Sequence, residues 1–115
     1  MKVILSNRCL SLTGMLERGL GYHLVKRKNG FYARRDSKGF VPPNGHWRFI
    51  VLCSELAQNG LYITDIKVDW LELYRALYEA KCFTAARKVR QNYAYNCKAS
   101  YNARDILNLK ITFGL

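Results

Sequence analysis

Carboxylates are the scarce side chains in this sequence: eight Asp and Glu stand against nineteen Lys and Arg, a formal net charge of +11. No D-x-D pair is present to hold a catalytic divalent ion, which argues against a metal-dependent nuclease. Histidine is scarcer still, with only His23 and His46, and neither sits in a recognisable catalytic pattern. The cysteines Cys9, Cys53, Cys82 and Cys97 include no C-x-x-C pair to seed a zinc site. Gly19-Leu20-Gly21 lacks the spacing of a phosphate loop and leads into a strand. Proline occurs only at Pro42 and Pro43, and there is no low-complexity tract. No apolar run approaches the ~20 residues of a membrane span. The opening Met1-Lys2-Val3-Ile4-Leu5-Ser6-Asn7-Arg8 has too short an apolar stretch for a signal peptide. These absences lead to an expectation of a cytoplasmic protein with reduced thiols, no metal and no cofactor. Cys53 and Cys82 lie in apolar stretches and are expected as packing residues.

What is present suffices for a folded core. Half of the 115 residues are hydrophobic, which is a folding composition for a single domain over residues 1–115. The clearest local signal is a β-hairpin over about 22–36. Tyr22 to Lys28 and Phe31 to Asp36 flank Asn29-Gly30, a dipeptide suited to the positive φ angles of a type I′ turn. That turn would set Lys28 opposite Phe31, Arg27 opposite Tyr32 and His23 opposite Asp36. Residues 2–6 read as a short strand, 11–18 as a short helix and 37–45 as a loop.

Residues 46–58 combine a helical stripe of Arg48, Glu55 and Gln58 with the helix stop Asn59-Gly60, and read as a mostly buried helix. His46 is expected at the surface, at the boundary of that element. Residues 61–68 read as a strand. The longest helix is expected over about 70–91, with Asp69 as its cap and Glu72 three residues on. Val68 and Leu73 occupy the two positions of a hydrophobic staple. Its apolar stripe would be Leu71, Tyr74, Tyr78, Cys82, Ala85 and Val89, broadened by Trp70, Leu73 and Leu77. Asn92 to Ser100 reads as a loop, Asn102 to Asn108 as a short capped helix, and Leu109 to Phe113 alternates like a closing strand. The fold class is therefore α+β, with a small antiparallel sheet packed on the helices at about 70–91 and 46–58.

Charge is distributed unevenly along the chain. Residues 22–48 hold Lys26, Arg27, Lys28, Arg34, Arg35, Lys38 and Arg48 against Asp36 alone. Residues 81–104 hold Lys81, Arg87, Lys88, Arg90, Lys98 and Arg104 with no acid, whereas 49–80 are mildly acidic. Cations displace the counterions condensed on a polyanion, which supplies the sequence-independent part of nucleic-acid affinity. A flat ring beside a cation adds a surface for stacking on an unpaired base. The expected phosphate contacts are Lys26, Arg27, Lys28, Arg34, Arg35 and Lys38, with Tyr32 beside them and Arg87, Lys88 and Arg90 as a second set. The expected partner is nucleic acid, DNA or RNA, bound without catalysis. One alternative is a basic interaction or inhibitor module that docks on an acidic protein. Another is a small ribonuclease-type toxin using His23 oriented by Asp36.

Two stretches bear a resemblance to known families. Met15-Leu16-Glu17-Arg18, then Gly21-Tyr22 and the hairpin, resemble the opening of the HicA-type toxins. This implies a double-stranded-RNA-binding-like fold of helix, three strands and helix. That family's catalytic His lies on its second strand, which here reads Phe31-Tyr32-Ala33-Arg34-Arg35 and has none. The hairpin with Arg34-Arg35-Asp36 and Gly39 is also similar to the arm-site DNA-binding sheet of tyrosine recombinases. Each resemblance covers about a quarter of the chain.

Overall fold

The structure, a computed structural model, describes residues 2–5, 22–27, 30–35, 44–59 and 63–115. These residues form an α+β fold of five strands and four helices. The strands are β1 (Lys2–Leu5), β2 (Tyr22–Arg27), β3 (Gly30–Arg35), β4 (Ile63–Asp69) and β5 (Ser100–Tyr101). The helices are α1 (Gly45–Gln58), α2 (Trp70–Glu79), α3 (Phe83–Asn96) and α4 (Ala103–Phe113). The helix expected over 11–18 and the positions of Lys28, Asp36 and Lys38 lie outside the described residues.

The sheet has the order β2-β3-β1-β4-β5 with every neighbour antiparallel. β3 and β4 therefore run parallel with β1 between them, and α1 connects them, which makes a split β-α-β unit. The hairpin exists, but its register differs from the expected one. Arg27 pairs with Gly30, Lys26 with Phe31 and His23 with Arg34, so the connection is residues 28–29 and Gly30 belongs to β3. β3 is held on its other side too, where Lys2 pairs with Tyr32 and Val3 with Phe31. The step from the expected register is two residues, so every residue keeps its face and the hydrophobic pattern cannot oppose it. The pairing of His23 with Asp36 is lost in this register.

β4 alternates cleanly, with Ile66 and Val68 buried and Lys67 and Asp69 exposed. The buried pair joins Phe49, Ile50 and Cys53 of α1, Leu73, Ala76 and Leu77 of α2, Ala85, Ala86 and Val89 of α3, and Ile106 and Leu109 of α4 in one core. Each large side chain fully withdrawn from water there contributes about 1.5–3 kcal/mol. α1 forms where expected, but His46 is not at the surface. It is 7% exposed and shares the inward stripe of Phe49, Ile50 and Cys53, because position 46 lies one and two turns before them.

The long helix expected over 70–91 is two helices. α2 ends in a Schellman motif: Cys82 N–H donates to the Leu77 carbonyl (2.8 Å), Lys81 N–H donates to the Tyr78 carbonyl (3.0 Å), and Lys81 is left-handed at φ 62°. The chain then reverses into α3, and small Ala76, Ala85 and Ala86, all buried, let the two helices pack closely. The break shifts the apolar stripe. Leu73, Ala76 and Leu77 face the core, whereas Leu71 and Tyr78, both expected inside, are 36% and 55% exposed. Val68 and Leu73 are fully buried at the start of α2, as the staple positions require. Asp69 precedes α2 without a side-chain capping bond.

α3 runs through Asn96, into the stretch expected to be a loop, and ends at Cys97 in a left-handed conformation (φ 53°). β5 then pairs with the end of β4, Val68 with Tyr101 and Asp69 with Ser100, and Trp70 N–H donates to the Ala99 carbonyl at 2.8 Å. Asn102 caps α4 in a reciprocal box with Asp105, at 2.9 and 3.1 Å. The strand expected over 109–113 is the second half of this helix. Ile106, Leu109 and Phe113 fall on its inward side, while Ile111 is 78% exposed. Gly114, left-handed at φ 63°, closes α4, with Leu115 N–H donating to the Lys110 carbonyl (2.9 Å).

Candidate nucleic-acid interface

The register of the sheet places four of the expected hairpin cations, Lys26, Arg27, Arg34 and Arg35. Lys67, Lys2, Tyr32 and Val25 stand level across β4, β1, β3 and β2. In the same hairpin Arg27 stands opposite Gly30 and Arg34 opposite His23. Lys26 pairs with Phe31, Phe31 with Val3 and Val3 with Ile66, and Arg35 pairs with Tyr22. Tyr32 therefore has Lys2 directly opposite it, with Lys67 one strand further. Neither lysine belongs to the expected set, because only the order β3-β1-β4 makes them neighbours of Tyr32.

The second expected set stands on α3. Val89, Ala85 and Ala86 turn inward, and Arg87, Lys88 and Arg90 are exposed. Among the described residues no carboxylate lies within 4.0 Å of any of the three. The carboxylates that do pair are engaged elsewhere. Glu55 binds Lys110 at 3.1 Å between α1 and α4, Asp105 faces Lys98 at 3.4 Å, and Glu72 faces His46 at 3.4 Å. Unpaired exposed arginines keep their donors available for an anionic ligand.

The two flanks of α3 differ. On one side Lys88 and Asn92 border a shallow cleft with Lys98, Tyr101, Asn108 and Thr112. Asn92 donates to the Tyr101 hydroxyl at 3.4 Å, and Lys98 Nζ lies 4.8 Å from the centre of the Tyr101 ring. On the other side Arg87 and Arg90 border a cavity of about 290 Å³ with Tyr74, Tyr78 and Phe83. Tyr78 packs against the Tyr74 ring at 6.0 Å and meets Phe83 edge-on at 5.0 Å and 73°. This aromatic cluster was not expected. Tyr74 and Tyr78 sat on the supposed buried stripe of one continuous helix, and only the turn at Lys81 brings Phe83 back against Tyr78. The tyrosines of the 92–101 stretch separate in turn: Tyr93 stacks on Trp70 at 4.2 Å, while Tyr95 is 82% exposed.

A third cavity, about 370 Å³, lies on another side of α2 and is bordered by His46, Asp69, Glu72, Arg75 and Glu79. Burial pushes the Glu72 carboxyl up, but the hydrogen bond from His46 leads the effects that together hold it below its ordinary 4.5. The acids of α2 thus lie apart from the arginine cleft. Burial also pushes the Cys53 thiol up to about 12 and raises that of Cys82, so both stay protonated packing groups at neutral pH. Among the described residues no cluster of His, Cys, Asp or Glu has the geometry of a metal site, and no helix is long and apolar enough to cross a membrane. No protein-family model, no curated protein and no solved structure matches this chain, so neither resemblance gains a family match.

Proposed function

We propose that this protein binds nucleic acid without catalysing a reaction on it, and acts by occupying or presenting the polyanion in the cytoplasm. The observation that carries the reading is the outer surface of α3. Arg87, Lys88 and Arg90 are exposed there, no described carboxylate lies within 4.0 Å, and the whole chain carries +11. Three such cations can each displace a condensed counterion from a phosphate backbone. The strands that carry Lys2, Lys26, Arg27, Tyr32, Arg34, Arg35 and Lys67 supply a second contact surface, and Lys28 and Lys38 remain candidates beside them in the sequence. The ribonuclease alternative through His23 is the less favoured reading, since the register sets that residue opposite Arg34.

The test is a salt titration of binding to generic DNA and RNA. Affinity should fall steeply, by orders of magnitude between about 50 and about 200 mM salt. Replacing Arg87, Lys88 and Arg90 together by Gln should flatten the log–log salt dependence by about 2–3. Absence of binding to either polymer at low salt refutes the reading and leaves an acidic protein as the partner to seek.

A further inference from the structure

We infer that the cleft between α2 and α3 takes an unpaired nucleobase, so that the ligand is single-stranded nucleic acid and not duplex. The inference rests on the nucleic-acid reading above and specifies it. Two of the rings that line the cleft are open to solvent, Tyr78 at 55% and Phe83 at 49% exposure. Three aromatic residues grouped at the surface of a charged protein, with a cavity between them, mark a ligand surface. Their mutual packing, Tyr74 against Tyr78 and Tyr78 edge-on to Phe83, fixes the rings before any ligand arrives. A prearranged ring loses little freedom when a base stacks on it.

The chemistry of the rim selects the occupant. Arg87 and Arg90 lie three residues apart on α3, and both border the same cavity as the rings. Phe83, Arg87 and Arg90 follow the i, i+4, i+7 spacing of one helix face, so ring and guanidinium groups are presented together. Ala86 lines the cleft beside them, its small side chain leaving room between the helices, and among the described residues no carboxylate borders the cavity. A purely apolar peptide would leave two arginines without partners. A nucleotide unit, by contrast, offers a flat base to the rings and a phosphate to the guanidiniums. Duplex cannot make this pair of contacts, because its bases are stacked on each other and present only their edges.

The experiment compares four fluorescent ligands on the full chain: a single strand, its duplex, an abasic single strand of the same length, and an acidic polyglutamate of the same charge as the single strand. The inference expects the single strand to bind at least about tenfold more tightly than the abasic strand, since base–ring stacking has that magnitude. Tyr78→Ala and Phe83→Ala should each erase most of this difference. Phe83→Leu keeps an apolar side chain and removes the ring, so it serves if an alanine variant fails to fold. Tyr78→Phe should retain single-strand affinity.

Equal binding of single, abasic and duplex ligands overturns the base-stacking inference and leaves the phosphate reading standing. Binding of polyglutamate in preference to every nucleic acid overturns both. Single-strand preference that survives both ring removals places the base elsewhere and overturns the assignment of this cleft.

Discussion

Glycine at position 81 distinguishes a helical hairpin from a continuous helix by the sign of its effect on stability. Lys81 is exposed, so its replacement removes no packed side chain. Its φ of 62° places an L-residue in the left-handed region, which costs about 1–2 kcal/mol. Glycine adopts that conformation freely but adds about 0.5–1 kcal/mol of unfolded-chain entropy. The net expectation for Lys81→Gly is a stabilisation of about 0.5–1 kcal/mol, or about 2–5 °C in Tm for a domain of this size. Lys81→Ala retains the left-handed cost and should change stability by less than about 0.5 kcal/mol. Urea unfolding read by far-UV circular dichroism measures both, with an unchanged m-value as the check that only stability has moved. A loss of about 1 kcal/mol in Lys81→Gly is what glycine inside an unbroken helix gives, and that result refutes the hairpin and with it the geometry of the aromatic cleft.

Other perturbations probe other parts of the molecule. The Glu72 carboxyl is held below its ordinary 4.5, so its contribution is fully present above that value and is lost as pH falls through the lower folded one. The urea midpoint should therefore drop more between about pH 6 and about pH 3 in the wild type than in Glu72→Gln, and equal drops contradict the pairing with His46. Ile111→Lys should alter stability by less than about 0.5 kcal/mol, whereas Ile106→Ala should cost about 2–5 kcal/mol. Reversal of that order would restore a strand over 109–113. In a thiol-labelling time course read by peptide mass spectrometry, exposed Cys97 should react in the folded protein and buried Cys53 only after unfolding. Labelling of Cys53 at the rate of Cys97 under native conditions would contradict the core placement.

Local signals in the sequence served well where one residue type dictates one conformation. Asn102 announces a capped helix, and the cap is made, with Asp105 closing the box. The helix over 45–58, the strand over 63–69 and the start of α2 at Trp70 follow from hydrophobic period and flanking polar residues, and their placement agrees to within about two residues. The misreadings have separate causes. Leu109-Lys110-Ile111-Thr112-Phe113 alternates like a strand, but Gly114 beyond it is a helix stop that the alternation masked. His46 opens an inward helical stripe, and its polarity concealed that position. The end of α2 gave no warning at all. The left-handed position that usually holds glycine holds Lys81, flanked by Ala80 and Cys82, all compatible with an uninterrupted helix.

Local period, turn and capping signals determined that this is an α+β protein, and composition that it has two cationic stretches with too few acids to neutralise them. These are properties of residues and their near neighbours, set by side-chain chemistry, period and capping within a few positions. Only the tertiary structure decided which residues meet. Packing of Ala76 against the alanines of α3 turns the chain at Lys81, sets Phe83 beside Tyr78 and leaves Arg87 and Arg90 at one rim. Sheet order alone brings Lys2 opposite Tyr32. Such neighbours are separated by up to thirty positions, and their meeting is fixed by the shared burial of apolar faces, which no local run of sequence encodes.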